Sequence, residues 1–169
     1  MKKSYRTLEF SFIQDYIKNY CFSEMAKKRI DQIQPFQDID DLKLYQDDIS
    51  SAMKIIYAYG RIPLAPYEDI KEILQKAQKG GVCYPQDLLK IVQILKNVQE
   101  VQAYLDQEIE QSHLLEILSL LYLPKDLYNE ILKCVDPSGN IYDHASHELY
   151  RLRRQISAIE ANMRKKIEA

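Results

Sequence analysis

The sequence predicts an all-α fold: an irregular bundle of several helices, with one small β-hairpin near residues 135–143 and a long C-terminal helix. Hydrophobic residues recur at steps of three and four in successive segments, which is the spacing of one helix face. Proline, glycine and capping residues separate these segments. The segments share no fixed period, which argues against a solenoid of identical repeats.

The composition indicates one domain with its own hydrophobic core, since 46% of the 169 residues are hydrophobic. Lys and Arg together number 23 against 25 Asp and Glu, and the formal net charge of −2 creates no overall cationic field for nucleic acid or lipid. No apolar run approaches the roughly 20 residues that span a bilayer, and the first residues lack a signal-peptide core. We therefore expect a cytoplasmic protein without a membrane partner.

Two helices are predicted before residue 35. Thr7 is the candidate cap of the first helix, which should end near Tyr20 or Cys21. The second helix should begin at Ser23 and stop before Pro35, because the residue before proline is disfavoured in the α region.

A longer third helix should open at Asp38 and end at Gly60, and a short fourth one should run from Glu68 to Gln78. Gly80 and Gly81 end the fourth helix, because glycine tolerates the backbone conformation of a helix C-terminus. The stripe expected to be buried on the third helix consists of Leu42, Tyr45, Ile49, Ala52, Met53 and Ile56.

Three more helices are predicted between residues 85 and 134. The first begins around Pro85 and is long and amphipathic through Leu105. The segment 114–121 is unusually apolar and is expected at the centre of the core, and Pro124 marks the start of the last of the three.

Turn chemistry follows at Asp136, Pro137 and Gly139: Pro137 presets φ, Asp136 can accept from the backbone ahead of it, and Gly139 can take a positive φ. With Val135 before the turn and Ile141 after it, the pattern predicts the β-hairpin. We therefore expect a helical core over residues 1–134 and a hairpin connector over residues 135–145.

The segment 146–169 is predicted to be one helix that stops without a terminator, as if shortened, with Ser146 as its N-cap. Five apolar residues repeat on it at alternating steps of three and four, which is typical of a coiled coil. We call this set the seam; it comprises Leu149, Leu152, Ile156, Ile159 and Met163. A stripe this narrow predicts pairing with another helix.

Basic residues crowd the same helix, and they have two interpretations. They are candidate contacts to nucleic-acid phosphates or to a partner helix: Arg151, Arg153, Arg154, Arg164, Lys165 and Lys166. Because Glu148, Glu160 and Glu168 are interleaved with them, the charge pattern favours helix pairing over nucleic-acid binding.

The residues that catalysis or metal binding would need do not form a recognisable pattern. His144 and His147 lie near Asp143, but they straddle the predicted cap and no further His or Cys completes a ligand set. The glycines do not form a phosphate-binding loop, and a nucleophile elbow is absent. The sequence therefore predicts no catalytic, cofactor-binding or metal-binding residue in this segment.

Three groups of residues, in their order and spacing, carry a family resemblance. They are residues 7–10 (TLEF), residues 79–82 (KGGV) with 85–91 (PQDLLKI), and residues 136–139 (DPSG) with 146–153 (SHELYRLR). Together they resemble the N-terminus of the MutS type-two proteins of bacteria.

The resemblance implies a helical core followed by the start of a lever helix that runs toward a clamp. The clamp and ATPase domains of the same chain would then be its partners. Family members continue into an ABC-type ATPase domain, which binds ATP and Mg and dimerises, and typically end in a nuclease domain of the Smr type. The resemblance implies that they bind branched or mismatched DNA and rRNA, suppress homologous recombination and, in some bacteria, split stalled ribosomes.

Two alternatives remain open at this point: a direct nucleic-acid-binding domain acting through the basic helix, and a free-standing helical adaptor.

Overall fold

The computed structural model describes residues 9–106 and 112–167, and across these ranges the chain is helical with no strand or sheet. The all-α prediction is confirmed. The helices are α1 (Phe10–Lys18), α2 (Glu24–Asp31), α3 (Ile39–Tyr59), α4 (Lys71–Gln78), α5 (Pro85–Leu105), α6 (His113–Ser119), α7 (Lys125–Cys134) and α8 (His147–Ile167). None of the helices described within these ranges combines the length and the apolar character that crossing a membrane requires.

The predicted β-hairpin is wrong. Val135 and Ile141 form only an isolated antiparallel bridge, flanked by a hydrogen bond from the Tyr142 N–H to the Cys134 carbonyl of 2.9 Å. Helix α7 reaches Cys134 on one side, and a 3₁₀ turn at Asp143–Ala145 begins soon after the bridge on the other. The chain between them is therefore too short to extend the bridge into paired strands.

Capping side chains begin two of the helices where the sequence places them. Ser23 Oγ accepts from the Ala26 N–H at 3.1 Å, and Asp38 Oδ1 accepts from the Asp40 N–H at 2.7 Å. Each satisfies a backbone donor that the helix itself leaves unpaired. The predicted cap Thr7 lies outside the described residues.

Helix α4 ends in two glycines that close its last turn. The Gly81 N–H donates to the Lys76 carbonyl and the Gly80 N–H to the Ala77 carbonyl, both at 2.9 Å, which is the pairing of a Schellman motif. Gly80 has φ +76°, and a Cβ at Gly81 would lie 2.9 Å from the Lys76 carbonyl oxygen. Both positions therefore favour glycine.

The described residues group into two compact units. One unit lies within residues 1–72 and 93–123, and the other within residues 73–92 and 124–169. Helix α5 contributes its last thirteen residues to the first unit and its first eight to the second. The boundaries predicted at residues 134 and 145 stay a prediction.

The core of the first unit is built around α5. Its buried hydrophobic residues are Ile55, Leu95, Val101, Tyr104 and Leu123. Helix α6, expected at the centre of the core, has no fully buried residue, and its neighbour in sequence, Leu123, is buried instead.

The stripe predicted to be buried on α3 is wrong over most of its length. Tyr45, Ile49, Met53 and Ile56 are between 45% and 51% exposed, whereas Ile55 on an adjacent face is 5% exposed. The reason is that α3 turns that adjacent face to its neighbours. Asp48 lies 3.0 Å from His113 Nδ1 at the start of α6, and the Ile55 carbonyl lies 3.5 Å from the Tyr104 hydroxyl.

Polar side chains on α5 hold irregular backbone in the first unit. Asn97 Oδ1 accepts from the Ala65 N–H at 3.1 Å, and Asn97 Nδ2 donates to the Ala65 carbonyl at 2.9 Å. The Tyr104 hydroxyl donates to the Gly60 carbonyl at 2.7 Å, and burial raises the pKa of Tyr104. These bonds matter because backbone groups that are buried without a partner cost free energy.

Candidate functional site

The candidate site is α8, which has no buried residue, together with the connector that leads into it. Ser146 Oγ accepts from the Leu149 N–H at 3.1 Å, and the Ser146 carbonyl accepts from the Tyr150 N–H at 3.0 Å. The helix therefore begins with its first orphan donors paired.

The turn before α8 is closed by Asp136. Asp136 Oδ1 accepts from the Ser138 and Asn140 N–H groups, each at 2.8 Å, and Oδ2 accepts from the Asn140 side-chain amide at 3.0 Å. The backbone N–H of Asn140, followed by its side chain, lowers the pKa of the Asp136 carboxyl below its ordinary value. The ionised carboxylate therefore stabilises the turn.

This turn packs on the first turns of α5. Gly139 has φ +84°, and a Cβ there would lie 3.3 Å from the Gln86 side-chain amide nitrogen and 3.6 Å from Leu89 Cδ1. Val135 and Ile131 are buried just before it, at 3% and 6% exposure. The connector is thus part of the second unit's core rather than a loose linker.

Arg153 ties α8 back to the connector. Its guanidinium Nη1 donates to the Ile141 carbonyl at 2.9 Å and forms an ion pair with the Asp143 carboxylate. Beside it, the Tyr142 and His144 rings stack with their centroids 4.9 Å apart. Arg153, a candidate contact to nucleic acid in the sequence, is therefore engaged within its own unit.

The seam of α8 is left largely uncovered. Leu149 is half-buried near the connector, whereas Leu152 is 42% exposed and Ile156, Ile159 and Met163 are 55–59% exposed. From Arg154 to Ile167 every described residue is exposed. The arrangement is a helix fixed at its base, with an apolar edge that makes no packed contact among the described residues.

The basic side chains of α8 have different neighbours. Arg151 pairs with Glu148 at 2.7 Å, and the Arg154 guanidinium lies 5.7 Å from the centre of the Tyr150 ring. Arg164, Lys165 and Lys166 are exposed in the last turns. Cations in the last turns of a helix are also favoured by its dipole.

The two histidines near the cap do not face a common ligand. His144 stacks on Tyr142 in the 3₁₀ turn, and His147 is the first residue of α8. Within residues 9–106 and 112–167, no group of three His, Cys, Asp or Glu side chains is arranged to hold a metal ion.

Sequence reasoning missed the residues that fix the base of α8. Asp143 lies in the 3₁₀ turn, ten positions before Arg153, so no periodic spacing links the two charges. The available signal was the turn itself: a tight turn directly before a capped helix brings the connector within reach of the helix's second turn.

Comparison with known proteins gives a consistent result, although no family model matches the chain. It is 30% identical over 171 residues to Endonuclease MutS2 of Clostridium botulinum (strain Alaska E43 / Type E3) and 30% identical over 177 residues to that of Halothermothrix orenii. It is also 28% identical over 173 residues to Endonuclease MutS2 of Halalkalibacterium halodurans.

Each of these matches covers 99% of the chain, and the chain spans 22% of the length of these curated relatives. The family resemblance predicted from the sequence motifs is therefore confirmed: the chain corresponds to the N-terminal region of MutS type-two proteins.

Proposed function

We propose that this chain is a structural module of a MutS2-type protein, in which the second unit holds α8 as a rigid arm. The observation that carries the proposal is the contrast along α8. Its base is fixed by Arg153, the Ile141 carbonyl and Asp143, whereas its seam stays 42–59% exposed beyond Leu149. A helix that is fixed at its base and exposed along its seam can transmit movement to a domain that packs on the seam.

The seam supplies the free energy for that packing. Fully burying one Leu, Ile or Met side chain contributes about 1.5–3 kcal/mol, so five seam residues favour pairing by several kcal/mol. The uncovered part of α8, from Arg154 to Ile167, is about as long as the isolated helices that are only marginally stable in water, so a partner helix would stabilise it. At about 1.5 Å per residue, the exposed part from Arg154 to Ile167 extends about 20 Å.

The longer protein provides the context of the proposal. The relatives are named endonucleases, and the chain spans 22% of their length. We propose that its partners are the clamp and ATPase domains of a longer chain that works as a homodimer in the cytoplasm. ATP and Mg would be bound there, and branched or mismatched DNA or the ribosome would be its substrates.

The catalytic work is proposed to lie in those other domains. The helical core, connector and lever helix would then act through packing alone. A role in suppressing recombination or in splitting stalled ribosomes would depend on the movement that α8 transmits.

The test is to charge the seam in the 169-residue chain. Without a partner helix, the exposed seam should pair with a second copy, and Ile156→Asp or Leu152→Asp should weaken this self-association at least about tenfold. Ser157→Asp is the matched control, because it adds the same charge about 100° around the helix from Ile156. Sedimentation equilibrium measures the association, and circular dichroism checks that the core helices are intact.

Two results would contradict the proposal that α8 is a rigid arm with a pairing seam. One is a chain that stays monomeric at concentrations of about 1 mM, since a pairing seam should then associate. The other is global unfolding by Ile156→Asp, which would place this side chain in the core.

A further inference from the structure

The charged side chains of α8 divide between two faces when each residue is placed about 100° from the last. The seam occupies one face. Glu148, Glu160, Arg153, Arg164 and Lys166 all fall within about 100° of its centre. Charges of both signs beside an apolar seam are the pattern of a helix-pairing interface.

The opposite face carries only positive charge. His147, Arg151, Arg154, Ala158 and Lys165 lie within about 60° of one another, and each is at least about 120° from the centre of the seam. We call this set the basic stripe. Neither described carboxylate of α8, Glu148 or Glu160, falls within it.

The side chains of the basic stripe are available for contact. The Arg151–Glu148 pair is a surface ion pair with the two side chains 56% and 62% exposed, so breaking it costs little. Arg154 rests near the Tyr150 ring, which leaves the edge of its guanidinium open. His147, Tyr150, Arg151, Arg154, Gln155 and Ala158 line a shallow groove of about 430 Å³ along this face.

We propose that the basic stripe binds the phosphate backbone of nucleic acid. From Arg151 to Lys165 the cations extend over about 21 Å of helix, along which a duplex presents a phosphate charge every ~1.7 Å of its axis. The short side chain of Ala158 in the middle of the stripe lets the nucleic-acid backbone approach the helix closely. Gln155 at the edge of the stripe adds a neutral hydrogen-bond donor. Contacts to phosphates position a protein on nucleic acid without reading its bases, so we expect this binding to be independent of sequence.

The geometry favours nucleic acid over a lipid surface. A helix lying on a membrane buries its apolar face, and its cations then reach the headgroups from the borders of that face. Here the basic stripe points away from the seam. If the seam were buried in a membrane, the stripe would therefore remain in water. The proposal goes beyond the arm: the seam packs against protein while the stripe faces outward.

The experiment measures binding of a labelled DNA duplex of about 30 base pairs to the 169-residue chain by fluorescence anisotropy, between about 50 and 200 mM salt. Three phosphate contacts predict a slope of log K against log salt near −2.7. The triple variant Arg151→Gln, Arg154→Gln, Lys165→Gln should bind at least about tenfold more weakly at low salt and lose most of that slope.

The matched control removes three positive charges outside α8: Lys43→Gln, Lys125→Gln and Lys133→Gln. It has the same net charge as the triple variant and should bind within about twofold of the unmodified chain, since long-range attraction alone is weak here. Ile156→Asp should leave the affinity for DNA unchanged. This variant therefore distinguishes a failure of the DNA-binding proposal from a failure of the proposal that the seam pairs with another helix.

Equal weakening by the control and the triple variant would overturn the proposal, as would no measurable binding at low salt. Vesicles containing phosphatidylserine and polyglutamate are the competing probes. If either probe binds as tightly as DNA, with the same dependence on the three residues, the proposal is wrong and the stripe is a binding site for a lipid or an acidic protein. Circular dichroism checks that both triple variants keep their helices, and Arg154→Gln alone decides the outcome if one does not.

Discussion

Helices α5 and α8 are each 21 residues long and each carries an apolar face, yet their environments are opposite. Leu95, Asn97, Val101 and Tyr104 are buried on α5, whereas α8 has no buried residue. The comparison shows that hydrophobic spacing defines a face without saying what covers it. In α5 the same turns also carry polar groups that satisfy neighbouring backbone.

The two helices therefore make different contributions. Helix α5 specifies the first unit, because its side chains fill the core and pair with the chain at Gly60 and Ala65. The seam of α8 contributes no comparable burial to the described residues, so its free energy remains available for a partner. Substitutions of equal chemistry on the two helices test this difference directly.

The largest effect is expected from placing a carboxylate on α5. Val101 is 2% exposed, so Val101→Asp buries an unpaired charge and should lower the free energy of unfolding by about 3–5 kcal/mol. Ile159 on α8 is 59% exposed, and Ile159→Asp should change it by no more than about 0.5 kcal/mol. Urea unfolding followed by circular dichroism, at protein concentrations too low for self-association, measures both.

Equal destabilisation by the two substitutions would mean that the seam is packed within the chain, and the distinction between core helix and arm would fail.

Local signals in the sequence predicted much of the fold. Caps and stops such as Ser23, Asp38 and Gly60 act within a few residues of themselves, so the ends of helices could be read from single side chains. Long-range packing could not be read in this way. The stripe of α3 was assigned to the wrong face because the position of α6, which contacts Asp48, is not encoded in the periodicity of α3.

The connector was misread for a related reason. Its turn residues resemble those of a hairpin, but strands need length, and α7 and the 3₁₀ turn occupy the residues on both sides. The sequence correctly placed the basic residues of α8 on one helix. Their division between two faces becomes visible only when each residue is given its angular position around that helix. The engagement of Arg153 with Asp143 needed the folded connector.

An intermediate effect on the free energy of unfolding is expected from replacing Asn97. The hydrophobic spacing of the sequence does not single out this polar residue. Asn97→Ala leaves both the N–H and the carbonyl of Ala65 without a partner, and should cost about 2–3 kcal/mol of unfolding free energy. Asn162→Ala on the exposed part of α8 is the control, expected within about 0.5 kcal/mol.

Hydrogen exchange adds a local readout for Asn97. The Ala65 amide should exchange faster in Asn97→Ala, while amides in α8 should not change. Unchanged exchange at Ala65 would show that the bond to Asn97 is not what protects this amide.

The smallest effect concerns the base of α8, where Asp136 closes the turn in a solvent-accessible position. Because hydrogen bonds from Asn140 lower the pKa of Asp136 in the folded chain, the ionised form stabilises it at pH values above the ordinary 3.8. That stabilisation is lost as the pH falls below 3.8 through the lowered pKa, where the carboxylate becomes protonated. Asp136→Asn should therefore melt below the unmodified chain at neutral pH, with the difference shrinking in acid.

Thermal melts at a series of pH values down to about pH 3 measure this difference. Asn140→Ala sharpens the test, because it removes the side-chain donor to Asp136 Oδ2 but keeps the backbone donor to Oδ1. Its melting temperature should show a pH dependence between those of the unmodified chain and Asp136→Asn. A pH dependence that survives unchanged in Asp136→Asn would assign it to other carboxylates and would leave the turn held by packing of Gly139 against Gln86 and Leu89.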